Sequence, residues 1–268
     1  ALLGWQALLL TALVLATVLM LQAWGARQQA MSLRTDFAAV PGYWRERGRA
    51  SRWFLVGTLI DSAADIAAAV NALLAEERLG PLSVDAVRRM IGNGVVKLVE
   101  RAYAASGHPL MGDALSRRVE AMMPHYANNL TGLTLRLPGA LEMVRAYAEA
   151  GVKLAVVSNK PDAFTRTILD HYGFAPHLAA VQGQNRSLRT KPAPDMLFAA
   201  LEQMNVHAQD ALFVGDSIND AGAAKAAGMA CILVHGGYSN EPLEQFGADA
   251  VCETLHELPR AIEKVKSA

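Results

Sequence analysis

The chain has 268 residues, room for a membrane segment plus one sizeable domain, or for two small ones. Its 25 basic and 25 acidic residues cancel, so nothing in the overall charge favours nucleic acid or another polyanion. The apolar share of 52 % is high and gathers at one end, while the two cysteines, Cys231 and Cys252, have no metal or redox spacing and read as small buried thiols.

The first 26 residues, "ALLGWQALLLTALVLATVLMLQAWGA", contain no charge. A bilayer core of ~30 Å needs about 20 helical residues. Trp5 and Trp24 are 19 positions apart, ~28 Å along a helix, which suits the two interfacial belts of one span. A transmembrane helix over 1–26 is therefore expected, with a signal peptide ending near "AWGA" as the competing reading. Ala12 and Ala16 form a small-xxx-small pair on which another membrane helix would pack closely. Residues 27–53 carry six arginines against Asp36 and Glu46, net +4. That excess predicts a juxtamembrane linker over 27–51, the N-terminus outside and the rest of the chain on the cytoplasmic side of the membrane.

From residue 52 the pattern alternates between β-like and helical runs. "RWFLVG" (52–57) predicts a strand. Residues 62–130 repeat apolar positions every three or four residues and predict several helices, with Ser62 and Ser83 as N-caps. "LPGALEMVRAYAEAG" is a helix between Pro138 and Gly151. "VKLAVVS" (152–158) predicts a strand, 161–172 a helix and "AAVQG" a short strand. The helix "PDMLFAALEQMN" leads to the strand "ALFVGD" (211–216), the helix "DAGAAKAAG", and the closing runs "MACILVHGG" and "DAVCE". Near-continuous apolar strands between helices predict an α/β fold with a parallel sheet covered on both faces. The expected division is a core over 52–61 and 135–268 and a helical cap over 62–134.

Four polar clusters fall at predicted strand exits or helix entries, where open α/β sheets bind ligands. They are "GTLIDS" after the first strand, "SNK" (158–160), "TKPAPDM" (190–196) and "VGDSIND" (214–220). Thr58 and Ser158 offer hydroxyls suited to a phosphoryl group, and Lys191 a positive charge for the same oxygens. Asp216 and Asp220 are hard oxygen ligands for Mg²⁺ or orienters of its water. Taken singly, each is a turn residue, a helix cap or a solvated side chain; the ordered set of four points to a phosphate and a divalent metal.

That order resembles the haloacid dehalogenase (HAD) superfamily of phosphohydrolases, over about residues 52–258. Within it, "GTLIDSAADIAAAVNALLAE", "RRMIGNGVVKLVERA" and "GGYSNEP" look most similar to the phosphoglycolate phosphatases. The resemblance implies a Rossmann-like core with a helical cap, phosphate contacts from Thr58, Ser158, Asn159 and Lys191, and Mg²⁺ held by Asp216, Asp220 and the carbonyl of Val56. It also places the turn Gly92–Asn93–Gly94 on the cap face over the substrate. The first motif of the family reads D-x-D-G-T. Here the nucleophile position is Phe54 and the acid/base position Val56. Phe54 has no atom that attacks phosphorus, and its ring would take space meant for phosphate. Val56 cannot exchange a proton.

Three readings follow. The first is a membrane-anchored, catalytically impaired phosphatase fold serving as an accessory subunit among other membrane-protein helices. The second is an active Mg²⁺-dependent phosphoglycolate phosphatase. The third is a sensor that holds a phosphorylated ligand without cleaving it.

Overall fold

The computed structural model describes the backbone over residues 53–267. The apolar run 1–26, the Ala12/Ala16 pair and the arginine-rich linker lie outside the described residues. Among the described residues, no helix is long and apolar enough to cross a membrane.

The centre is a six-stranded parallel sheet. Its strands are β1 (Trp53–Val56), β4 (Lys153–Pro161), β5 (Ala180–Gln184), β6 (Ala211–Gly215), β7 (Ala230–Val234) and β8 (Ala250–Cys252). Their order is β5-β4-β1-β6-β7-β8. Side chains alternate between the sheet's faces, so successive apolar residues feed two separate cores. Leu154, Val156, Leu212, Val214, Ile232 and Val234 enter one, with Met143, Val144 and Tyr147 of α5 (Ala140–Glu149) and Ile262 of α9 (Leu258–Ser267). Ala155, Val157, Phe213, Cys231 and Leu233 enter the other, under α7 (Asp195–Met204) and α8 (Ile218–Ala227). Helix α6 (Asp162–His171) follows directly on β4. The unbroken apolar reading of these strands thus reflects cover on both faces. Cys231 and Cys252 are free and buried, and burial pushes their thiols up to about 12 and about 11.

Four helices intervene between β2 (Ile60–Asp61) and β3 (Leu135–Arg136), which pair antiparallel as a two-stranded stem. They are α1 (Ala63–Glu76), α2 (Val84–Arg88), α3 (Gly94–Ala105) and α4 (Gly112–Ala127). They enclose a third core around Leu73, Leu74, Tyr103 and Met122. The return of the chain is pinned by Asp65, 2 % exposed in the first turn of α1. Its carboxylate accepts from the Leu133 N–H (2.9 Å), the Thr134 N–H (2.8 Å) and the Thr134 hydroxyl (2.7 Å).

Ser83 caps α2 as expected, accepting from the Ala86 N–H at 3.2 Å. Ser62 stands at the N-cap of α1 but its side chain makes no cap hydrogen bond. Asp61 takes over, accepting from the Ala63 N–H at 3.1 Å. The Ser62 hydroxyl is engaged elsewhere, by Lys160.

Candidate active site

The strand order reverses beside β1, where the chain departs first to β4 and β5 and later to β6, β7 and β8. The carboxyl ends of β1, β4 and β6 therefore border the crevice in which such sheets bind ligands. Val56 is in register with Val156 and Val214. Two residues further on, Thr58 and Asp216 stand just beyond the ends of β1 and β6, and Ser158 lies at the same level within β4, which continues to Pro161. The crevice is roofed by the helices between β2 and β3 and holds a cavity of about 130 Å³, with Ser158, Asn159, Lys160, Lys191, Asp216 and Tyr238 on its walls.

Lys191 and Asp220 form its floor. Both are almost fully buried, and the Lys191 Nζ donates to Asp220 Oδ1 at 2.6 Å and to the Val157 carbonyl at 2.8 Å. The other Asp220 oxygen accepts from the Asp216 N–H (3.0 Å) and the Ser217 hydroxyl (2.7 Å). The Ser217 hydroxyl oxygen in turn caps α8 by accepting from the Asp220 N–H at 3.3 Å. Burial penalises the Asp220 carboxylate, yet the Lys191 ammonium, joined by the Asp216 N–H and the Ser217 hydroxyl, holds the group below the usual carboxylate range. Asp216 goes the other way: burial, then the Asp220 charge, push it up to about 8. A glycine is needed at 215, since a Cβ there would stand 2.3 Å from the Asp220 Cβ. The Thr58 hydroxyl, 2 % exposed, reaches towards Asp216 without closing a regular hydrogen bond.

Asn159 is less free than its place among the phosphate-side residues suggests. Its Nδ2 donates to the carbonyls of Gly92 (2.9 Å) and Lys191 (3.0 Å), and its Oδ1 accepts from the Lys191 N–H (2.9 Å). The side chain ties the roof to the lysine loop. Gly92, Asn93 and Gly94 stand above it. Gly92 adopts φ +119 and Gly94 φ +81, backbone that L side chains rarely take. The turn presents the Gly92 carbonyl to Asn159 and to Asn219 (3.3 Å), and Asn93 donates to the Asn219 side chain (3.3 Å).

Sequence reading passed over a second cluster on the same cavity. The Lys160 Nζ donates to the Ser62 hydroxyl (2.8 Å), and the Ser62 N–H to the Tyr238 hydroxyl (2.6 Å). Tyr238 donates to Asp61 Oδ1 (3.2 Å), and Arg88 binds Asp61 Oδ2 (2.7 Å) while its guanidinium lies 5.6 Å from the Tyr238 ring centre. Lys160 closes the run "SNK" and Tyr238 stands within "GGYSNEP", so the signal lay inside segments already singled out.

β1 supplies no acid to the crevice. Val56 is 1 % exposed and belongs to the apolar core. The backbone of Phe54 is in register with Leu154 and Leu212; what its ring occupies lies outside the described part. Both Asp220 oxygens are engaged within the protein, which leaves Asp216 as the carboxylate that would hold a cation. Among the described residues, no three His, Cys, Asp or Glu side chains are grouped to hold a metal. This donor set fits Mg²⁺ only as an ion shared with a substrate phosphate, one carboxylate plus phosphate oxygens and water, not as a resident ion.

The profile of the haloacid dehalogenase-like hydrolases matches residues 55–234. A phosphoglycolate phosphatase of Rhodospirillum rubrum is 39 % identical over 209 residues, 76 % of this chain and 86 % of that protein. One of Caulobacter vibrioides is 36 % identical over 207 residues, 77 % of this chain and 87 % of its own length. In solved structures, a predicted phosphoglycolate phosphatase from Haemophilus somnus superposes with a TM-score of 0.72 at 27 % identity, covering 79 % of this chain and 97 % of the other.

Proposed function

The chain belongs to the haloacid dehalogenase-like hydrolase family, and on that footing we propose that its cleft takes a small phosphorylated carboxylic acid of the phosphoglycolate type, as a phosphate-monoester hydrolase whose turnover is severely slowed. The observation that carries this reading is the convergence of Ser158, Lys191 and Asp216 on one roofed cavity at the strand ends. Lys191 and the hydroxyls of Ser158 and Thr58 receive the phosphoryl oxygens. Asp216 would hold a Mg²⁺ ion brought with the substrate, which would supply charge neutralisation to the phosphoryl oxygens.

Hydrolysis through an aspartyl-phosphate needs a carboxylate nucleophile and a separate proton donor. This chain has Phe54 and Val56 there. Positioning and charge stabilisation remain, and phosphoryl transfer draws heavily on both. Binding therefore outlasts turnover. The test is phosphate release from phosphoglycolate with Mg²⁺ together with calorimetric binding. Binding of phosphoglycolate, with slow release that disappears in Lys191→Ala, supports the reading. Absence of binding overturns it.

Phe54 and Val56, combined with the uncharged run 1–26, favour a second reading: a membrane-anchored accessory module, with the folded part on the cytoplasmic side and the helix seated against other membrane proteins. It expects neither binding nor release, and a chain freed from membranes by removal of residues 1–51. A pure sensor would bind phosphoglycolate and release no phosphate at all.

A further inference from the structure

The cavity holds a second ammonium with no acid paired to it. Lys191 is neutralised by Asp220 at 2.6 Å. Lys160 forms no ion pair within 4.0 Å among the described residues, and its ammonium donates to the neutral Ser62 hydroxyl. Its Nζ carries three donors, so capacity remains. The Tyr126 ring lies 5.9 Å away, and Ile66, Tyr126 and Ile168 wall the same cavity. Burial pulls the ammonium below the ordinary lysine value, and the acids Asp216 and Asp61 do not reverse this. A charge held among apolar walls without a counter-ion is costly unless a ligand supplies one.

Position adds to the argument. Lys160 lies two residues beyond Ser158, whose hydroxyl oxygen accepts from the Lys160 N–H at 3.2 Å. A ligand with its phosphate at Ser158 and Lys191 would carry its other end towards Lys160. Resting on the function proposed above, we infer that Lys160 is the specificity-determining cation of this cleft, its ammonium receiving the carboxylate of a small phosphorylated acid. The Ser62 hydroxyl, itself beside the Tyr238 hydroxyl, accepts from the ammonium and fixes where it points.

The experiment is calorimetry on the full chain with phosphoglycolate, ethyl phosphate and inorganic phosphate. Phosphoglycolate should bind roughly 10- to 100-fold more tightly than ethyl phosphate, the span of one charge-assisted hydrogen bond. Lys160→Met should remove that difference while leaving inorganic phosphate unchanged, and Lys160→Arg should keep most of it. A merely structural brace would not discriminate between the two esters. Equal binding of both esters by the unaltered chain overturns the inference on Lys160 and leaves the phosphate site standing, and this arm needs no variant to fold. Unchanged phosphoglycolate affinity in Lys160→Met overturns it as well. Absence of binding by all three ligands overturns the underlying function and this inference with it.

Discussion

At the scale of single residues, the buried Lys191–Asp220 pair decides how the floor behaves. Removing one partner leaves a charge in a place water does not reach, which costs about 3–5 kcal/mol where pairs are fully buried. Lys191→Met should lower the unfolding free energy by an amount in that range. Adding Asp220→Leu should recover most of it, and a urea titration of both variants decides. Arg88 and Asp61 are more exposed and give a pH effect instead. Burial acts to raise Asp61, but the Arg88 contacts prevail and its folded pKa lies below the ordinary carboxylate value. A depressed folded pKa means the contribution is complete above the unfolded value of about 3.9 and is lost as pH falls through the folded one. The stability gap between the unaltered chain and Asp61→Asn should be constant at neutral pH and close only in acid, followed by thermal melts across pH. Residues such as Lys160 and Tyr238 were illegible beforehand for a physical reason. A lone lysine after a strand and a lone tyrosine in a loop carry no periodic signal, and only the folded chain brings both to Ser62.

At the scale of elements, the joint between sheet and roof depends on two small devices. Asp65 holds the returning chain through three hydrogen bonds at the first turn of α1. Asp65→Ala would leave the buried Thr134 N–H unsatisfied, at a cost of ~1–3 kcal/mol, while the exposed Leu133 N–H could turn to water. A loss of about 1–3 kcal/mol, with faster amide exchange at 133 and 134, is expected. The Gly92–Asn93–Gly94 turn is the second device. Gly92→Ala would force an L side chain to φ +119 and shift the carbonyl that Asn159 and Asn219 hold. Phosphoglycolate binding should weaken more than global stability, a split that calorimetry and urea titration resolve together. The strands of the core were legible in outline because both faces are covered and the apolar runs are unbroken. The cap of α1 was not: Ser62 carries the right residue type, but the demand of Lys160 for its hydroxyl outweighs the local capping preference.

At the scale of the whole molecule, one core of the sheet, through Leu59, Val156 and Leu169, and the core of the roof, through Ile66, Tyr126 and Ile168, meet at one cavity, and the residues that approach it come from segments far apart in the sequence. The order of the four polar clusters pointed to strand exits and helix entries; "GTLIDS" and "VGDSIND" follow β1 and β6, "SNK" closes β4 from within, and "TKPAPDM" leads into α7. How Asp220 spends its oxygens was not legible, because Lys191, Ser217 and the Asp216 N–H reach it only in the folded state. A ligand bridging core and roof should stabilise the native state, by about 2.7 kcal/mol at 100 times its Kd. Phosphoglycolate should accordingly raise the melting temperature of the unaltered chain. The account stands or falls on the claim that the chemistry is missing at two positions of β1 and the rest of the site is in place. The most direct measurement is the rate of phosphate release from phosphoglycolate with Mg²⁺, for the unaltered chain and for the double substitution Phe54→Asp with Val56→Asp. Restoring both a nucleophile and a proton donor should raise the rate by at least ~10⁴-fold; an unaltered chain already working at the ordinary enzymatic ~1–10³ s⁻¹, or a double variant with no gain, would contradict it.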